Sequence, residues 1–582
     1  MESAPAARYA PATFGDSISE ASMDEAFLLE VRSHDAQLAG DGIEIWIGSE
    51  PTFTHPRSLH PCWLTEAEGG EKAAQARSML LGLAPRLGGR AVLSRVLGRQ
   101  YPGESAPRWC FGALFDRYAQ PSRVPPDASQ LDIAGFAPTP APRADQAWLT
   151  ITPDPGVVEV NMAPAHDLST FAQWSADLYT AAAEVGLSPA RFRYNGDITD
   201  SGGGGQLTFG GPTPARSPFF LHPQLLPGLV RYLNRHPALS YSFAPACCGS
   251  ASQAPRADES VRERFDELPV ALDYLAARGA AATPSELWGT LAPLLVDATG
   301  CGHRAEINVE KLWNPWFSRR GQLGLVELRA LRMPPTAARL TALAALFRSV
   351  LARLARAPYL EPILDWGARL HDEFGLPWYL ERDLERVLSD LDAHDVGLGP
   401  RLRAELFARP EPIARVQLDD ATLEVRPAVS FWPLIGDLAA QEVRGARTVD
   451  SSACRIELLV SAAPGAAVGR IAANGWRVPM HGLADARAIG SVIYRAFVPR
   501  PGLHPNIPAN DPVVLEWQRG SAGVRVELYA WQPAGGAYSG LPADHAEASA
   551  RRSERVVITS LSTLAEMRVS EGSLLDLRRV ST

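Results

Sequence analysis

Two runs, HRAEINVEK (303–311) and VELRALRM (326–333), set carboxylates and guanidiniums inside stretches that otherwise read as β-strand. Two earlier runs do the same: IWIGSE (45–50) and VVEVN (157–161). Side chains alternate across a strand, so Glu159 and Asn161 share a face, as do Glu306 and Asn308, and Glu327 and Arg329. A carboxylate within an apolar strand is costly to bury unpaired and calls for an arginine or a metal ion. Glu50, Glu159, Glu306 and Glu327 supply carboxylates, and Arg304, Arg329 and Arg332 supply guanidiniums. If the four strands belong to one sheet, one face collects them. That mixture suits a nucleotide phosphate held through divalent metals, since hard oxygen ligands bind Mg²⁺ and arginines offset phosphoryl charge. The bland alternative for any one segment is a solvated outer face with ordinary ion pairs.

Around these strands the chain reads as α+β. Residues 1–37 read as an N-terminal leader, and the strand Ile43–Ile47 leads into GSEPTF. Helical spacing marks 71–98, broken near Pro85, and a Pro/Ala-rich linker spans 119–147. Strands at 148–151 and 157–160 precede a helix around 168–186. A Gly-rich loop at 196–211 runs into a short strand. Strands Ala305–Val309 and Leu323–Arg329 follow, and 336–410 is strongly helical. Short alternating stretches from 414 onward predict a separate antiparallel β domain. The divisions are therefore 1–37, a domain over 38–412, a β domain over 413–545 and a polar tail over 546–582.

Composition narrows the function. The 582 residues are 46% hydrophobic and 21% charged, which rules out disorder for the bulk. A net charge of −9 speaks against nucleic acid as the main partner. No apolar run is long enough to span a bilayer, and the acidic start lacks a signal-peptide core, so the expected location is cytoplasmic, away from membranes. Scattered cysteines without C-x-x-C predict reduced thiols, neither a disulfide frame nor a zinc site. Lys72 and Lys311 are the only lysines, so amine chemistry has two side-chain candidates. Gly202–Gly205 fits neither a P-loop nor a dinucleotide fingerprint. Glycines there allow either close ligand approach or a flexible turn.

Together these segments resemble a family of bacterial amidoligases often found behind a transglutaminase-like domain. The strings that carry the resemblance are IWIGSEPTF (45–53), GRQYPGESAPRW (98–109), TPDPGVVEVNMAP (152–164), SGGGGQLTFGG (201–211), SQAPRADE (252–259), LLVDATGCGHRAEINVEKLWNP (294–315) and LGLVELRALRMPP (323–335). VDSS (449–452) and LHPNIP (503–508) extend it into the β domain. The resemblance implies a glutamine synthetase-like antiparallel sheet with flanking helices, ATP and Mg²⁺ as cofactors, and an acyl-phosphate captured by an amine. It implies small-molecule or peptide carboxylate and amine substrates, and a separate transglutaminase-like or ligase partner.

The roles it implies follow residue by residue. Glu50, Glu159, Glu306 and Glu327 would hold metal, and Arg304, Arg329 and Arg332 would neutralise the transferring phosphoryl group. Gly203, Gly204, Gln206 and Arg99 would contact nucleotide; Asn161, His303 and Lys311 would orient substrate. The family pattern at the Gly-rich turn is close to D-G-x-H-T-G-T-G-G-G-N-H. This chain has Asn195, Ile198, Asp200, Gly205 and Gln206 there, so two histidines and an aspartate are replaced. Arg99 stands in place of a lysine, keeping charge but not geometry. A second reading keeps the fold as a non-catalytic binding or scaffold subunit.

Overall fold

The computed structural model describes residues 23–40, 42–57, 66–95, 109–116, 132–133, 146–154, 157–201, 204–244, 247–250, 252, 254–316, 321–432, 452–483, 486–497, 508–561 and 566–580. They form helices and antiparallel sheets around two hydrophobic cores. One core runs from Phe27 to Leu406 and the other from Ala414 to Leu577.

The first core lies under one face of a sheet that is joined through residues 46–53. On one side, strands Trp46–Glu50, Gln206–Gly210, Val326–Leu328 and Ile307–Asn308 pair antiparallel in that order. On the other, Thr52–Phe53 pairs with Val157–Asn161, followed by Gln146–Asp154, Trp109–Asp116 and Arg90–Arg95. Pro51 separates the two halves of the shared strand without ending the pairing. Val160 N–H donates to Pro51 O (2.9 Å) and Met162 N–H to Ser49 O (3.0 Å). The same register that puts Thr52 opposite Glu159 therefore puts Glu50 opposite Asn161.

Period two then sorts the side chains. Ile47, Ser49, Phe53, Val158, Val160, Leu207, Phe209, Val326, Leu328 and Ile307 are all buried, mostly against the core. Helices Glu66–Arg86, Leu168–Glu184 and Ala337–Arg356 build that core with helix Glu25–Ala39. Asp24, Asp167 and Thr336 cap three of these helices by accepting from the backbone N–H of Phe27, Thr170 and Arg339. Asp35 ties the helices together: it accepts from Leu168 N–H and Ser169 N–H, each at 2.8 Å, and pairs with Arg348 at 2.5 Å.

Several expected boundaries move. Residues 25–37 are not a leader, because Phe27, Val31, His34 and Leu38 form the buried stripe of the first helix. The helix expected over 71–98 is Glu66–Arg86, with Pro85 in its last turn, and a strand follows at Arg90–Arg95. The strand expected over 305–309 shrinks to Ile307–Asn308, because a short helix begins at Glu310. The polar tail is structured. Helix His545–Glu554 precedes strand Val556–Ser560, which pairs with Ala522–Leu528; Leu575–Asp576 pairs with Arg487–Arg495.

The second core is a sandwich. One sheet carries Ala414–Leu418, Ala421–Pro427, Ala453–Ser461 and Arg487–Arg495; the other carries Arg470–Ala473, Val513–Arg519, Ala522–Leu528 and Val556–Ser560. Trp517 fills its centre, donating its indole N–H to Val468 O at 2.9 Å. Several contacts seat the sandwich on the first core, and two stand out. Arg455 donates to the carbonyls of His371 and Asp372 at the end of a helix. Helix His545–Glu554 braces the hairpin 190–200: Arg551 donates to Tyr194 O (2.6 Å), Arg555 pairs with Asp197 (2.6 Å), and a Cβ at Gly196 would strike Ala548 O. Among the described residues no helix is long and apolar enough to cross a membrane.

Candidate active site

The face opposite the core is polar, and its residues come from five separated segments. Across the strands, Asn308 stands opposite Glu327, which stands opposite Thr208, which stands opposite Gly48. In the next row Gln206 stands opposite Glu50, and beyond it Asn161 stands opposite Thr150. Thr52 opposite Glu159 completes the set. Residues in such rows have Cβ atoms about 4.5–5.5 Å apart, so Glu50, Glu159 and Glu327 line one surface.

The electrostatics are unbalanced. Glu327 is 3% exposed and pairs with Arg329, while Lys311 Nζ donates to Glu50 Oε1 at 3.5 Å. Burial, followed by the Glu50 carboxylate, raises the pKa of Glu327, against the pull of Arg329, Lys311 and His303. Two carboxylates are thus held close with too little positive charge between them. Arg329 Nε is buried with no hydrogen-bond partner among the described residues. The set offers carboxylate oxygens suited to a cation and a guanidinium N–H suited to an anion.

At the rim, His303 Nδ1 lies 3.1 Å from Glu310 Oε2, and Asn308 accepts from Glu310 N–H at 2.8 Å. Glu310 was not among the sequence candidates. Its signal was the N-x-E spacing after Asn308, which turns the chain off the strand and points a fourth carboxylate towards His303 and Asn308. Asn161 donates to Glu159 Oε1 at 3.0 Å. Arg332 lies 3.5 Å from Asp200 Oδ2, and Arg304 is half-buried in the turn 302–304.

A family model described as "Putative amidoligase enzyme (DUF2126)" matches residues 26–124 and 123–574, nearly the whole chain. The chain belongs to that amidoligase family. A search of curated proteins and a search of solved structures returned no match.

Seen as an amidoligase face, the surface gathers Glu50, Glu159, Glu327, Asn161, Gln206, Arg329, His303 and Lys311. Glu306 does not join them. The segment 238–259 folds over the start of its strand, and there Glu306 accepts from Ser240 Oγ and lies 3.9 Å from Arg256. Burial lifts it to about 7, since Arg256 is already held by Asp258 through two 2.8 Å hydrogen bonds. A carboxylate so enclosed is not placed to share a metal with Glu50. Gly204 also differs from expectation. With φ +83°, it packs its backbone on Thr52, whose Oγ1 a Cβ would meet at 2.4 Å. Gly205 presses on Arg332 O in the same way. Gly204 and Gly205 are thus required by protein packing beside the face. Arg99 and Gly203 lie outside the described residues.

Proposed function

We propose that this chain is an ATP- and Mg²⁺-dependent carboxylate–amine ligase of glutamine synthetase-like architecture, acting on a small molecule or a peptide. One observation carries the reading: the cross-strand register brings Glu50, Glu159 and Glu327, far apart in sequence, onto one polar face of a joined antiparallel sheet. The donor chemistry fits the cofactors. Carboxylates suit Mg²⁺, and the like-charge crowding at Glu50 and Glu327 is relieved by a bound cation.

Glu50, Glu159 and Glu327 would hold Mg²⁺, with Gln206 beside them for nucleotide. Bound ATP and Mg²⁺ would supply the phosphoryl group that activates a carboxylate, and an amine attacking the activated acyl carbon would expel phosphate as the amide forms. Arg329, anchored by Glu327 and with Nε unengaged, is placed to stabilise anionic oxygens. Arg332 and Arg304 would supply further cations. Asn161, His303 and Lys311 orient substrate groups at the rim, Lys311 through Glu50 and His303 through Glu310. No covalent enzyme intermediate is needed. The thiols agree with this, as burial pushes Cys247 and Cys454 up to about 11.

The test is twofold. ATP with Mg²⁺ should raise the melting temperature of the purified protein by mass action, and pooled carboxylates and amines should then drive phosphate release. Indifference to nucleotide and metal together would overturn the ligase and leave the scaffold reading.

A further inference from the structure

The two cores meet at a second cluster of ligating side chains, away from the polar face. Cys248, Glu259 and His371 each present one ligand atom, and these atoms lie within 4.8 Å of one another. They come from three segments: the strand Cys247–Cys248, the turn Ala257–Glu259 and the helix Arg369–Phe374. Cys248 is 4% exposed and the Glu259 side chain 2%, so neither is a solvated surface group.

The surroundings hold all three in place. Glu259 Oε2 accepts from Arg256 N–H at 3.0 Å; Oε1 accepts from Tyr241 OH and lies 2.7 Å from His371 Nε2. The His371 ring lies 4.5 Å from the Phe431 ring, and Phe431 stands opposite Cys248 in a parallel pair. Arg455, from the sandwich, fixes the backbone of His371 from behind. The nearby Arg256 charge is neutralised by Asp258. Ligating carboxylates and imidazoles in metalloproteins are supported by this kind of outer hydrogen bonding.

We infer that Cys248, Glu259 and His371 bind a borderline divalent cation, Zn²⁺ in chemical class, that ties the strand Cys247–Cys248, the turn Ala257–Glu259 and the helix Arg369–Phe374 together within the first core, beside the point where Arg455 of the sandwich docks. Thiolate, imidazole and carboxylate are the three ligand types of zinc, whereas a thiolate is a poor ligand for Mg²⁺. Tetrahedral bond lengths of about 2.0–2.3 Å ask donor atoms to stand roughly 3.3–3.7 Å apart, within the reach of small side-chain shifts here. Entry of the ion sends the thiol proton of Cys248 to solvent. Binding through Nε2 replaces the His371–Glu259 hydrogen bond, and the proton on Nε2 moves to Nδ1. Three protein ligands leave a fourth position for water on the side where His371 is partly exposed.

Chelator-treated full-length protein titrated with Co²⁺ tests this directly. One Co²⁺ per chain is expected, with the near-ultraviolet thiolate charge-transfer band and the visible bands of a tetrahedral ion. Zn²⁺ should bleach the spectrum, and millimolar Mg²⁺ should not. Cys248→Ser should abolish the charge-transfer band, and His371→Gln should weaken binding by at least tenfold. Absence of the band in the wild-type titration, with no Zn²⁺ retained through gel filtration, overturns the proposal whether or not either variant folds. These readouts are independent of ATP, so their failure leaves the ligase reading untouched.

Discussion

The polar face of the central sheet and the outer face of the sandwich follow the same period-two rule with opposite results. In the sandwich two exposed arginines find an opposite charge across the strand. Arg415 stands opposite Glu424 and pairs with it at 2.5 Å; Arg525 stands opposite Glu516 at 3.6 Å and also meets Glu527 at 2.8 Å. Such exposed pairs contribute only about 0.2–1 kcal/mol each. In the central sheet the rows juxtapose carboxylate with amide or hydroxyl, and Glu50 and Glu327 repel one another. A strand surface built for solubility pairs its charges. One that leaves like charges together gives up stability for something that arrives later.

Substitutions can break this contrast. The largest effect is expected at Glu327→Ala: phosphate release should fall by about 10²–10³-fold or more. The melting temperature should fall less than for a buried pair without a like-charged neighbour, because the lost ion pair with Arg329 is offset by the end of the repulsion from Glu50. A loss of folding instead, seen by circular dichroism, would show that Glu327 serves Arg329 alone. Glu457→Ala should do the reverse. Glu457 is fully buried, pairs with Arg426 and accepts from Trp378 N–H at 2.9 Å. Its removal leaves Arg426 with Glu381 alone and Trp378 N–H without its acceptor, and should cost about 3 kcal/mol in urea denaturation, with turnover per folded molecule unchanged.

A pH series sharpens the comparison within the first core. Glu306 is raised from 4.5 to about 7, so the folded state keeps a proton that the unfolded state releases. Its contribution is full below pH 4.5 and is lost as pH climbs towards 7, by up to about 3 kcal/mol. His34, buried against Ser349, is lowered from 6.5 to about 3 and acts in the opposite sense, costing stability as pH falls below 6.5. Glu306→Gln should flatten the loss between pH 5 and 7 in denaturant titrations and leave the acid limb intact. The smallest change is expected from Gln206→His, which restores an imidazole opposite Glu50. A severalfold tighter Mn²⁺ dependence of the thermal shift is expected; an unaltered midpoint would make that imidazole irrelevant here.

Much of this face was legible because strand alternation is local. Knowing that VVEVN and VELR were strands sufficed to put Glu159 with Asn161 and Glu327 with Arg329. Family resemblance then joined the strands, which no periodicity within one strand can do. Glu306 escaped that logic. Its partners, Ser240 and Arg256, come from a segment folded over the strand, and nothing in HRAEINVEK announces a cover. Glu310 was missed because it lies just past the strand, where alternation no longer applies. The first helix was readable in principle: Asp24 caps it, and Phe27, Val31, His34 and Leu38 recur every three or four residues. The one polar letter in that stripe, His34, disguises a buried position held neutral by its surroundings.

The brace between helix His545–Glu554 and the hairpin 190–200 has a consequence for biosynthesis. Arg555 and Asp197 are 358 positions apart, so the hairpin leading into Gln206 leaves the ribosome long before its support does. Until then the nascent chain displays the carboxylate face beside an unsupported turn. Docking of helix His545–Glu554 on the hairpin therefore comes late relative to synthesis of the hairpin itself.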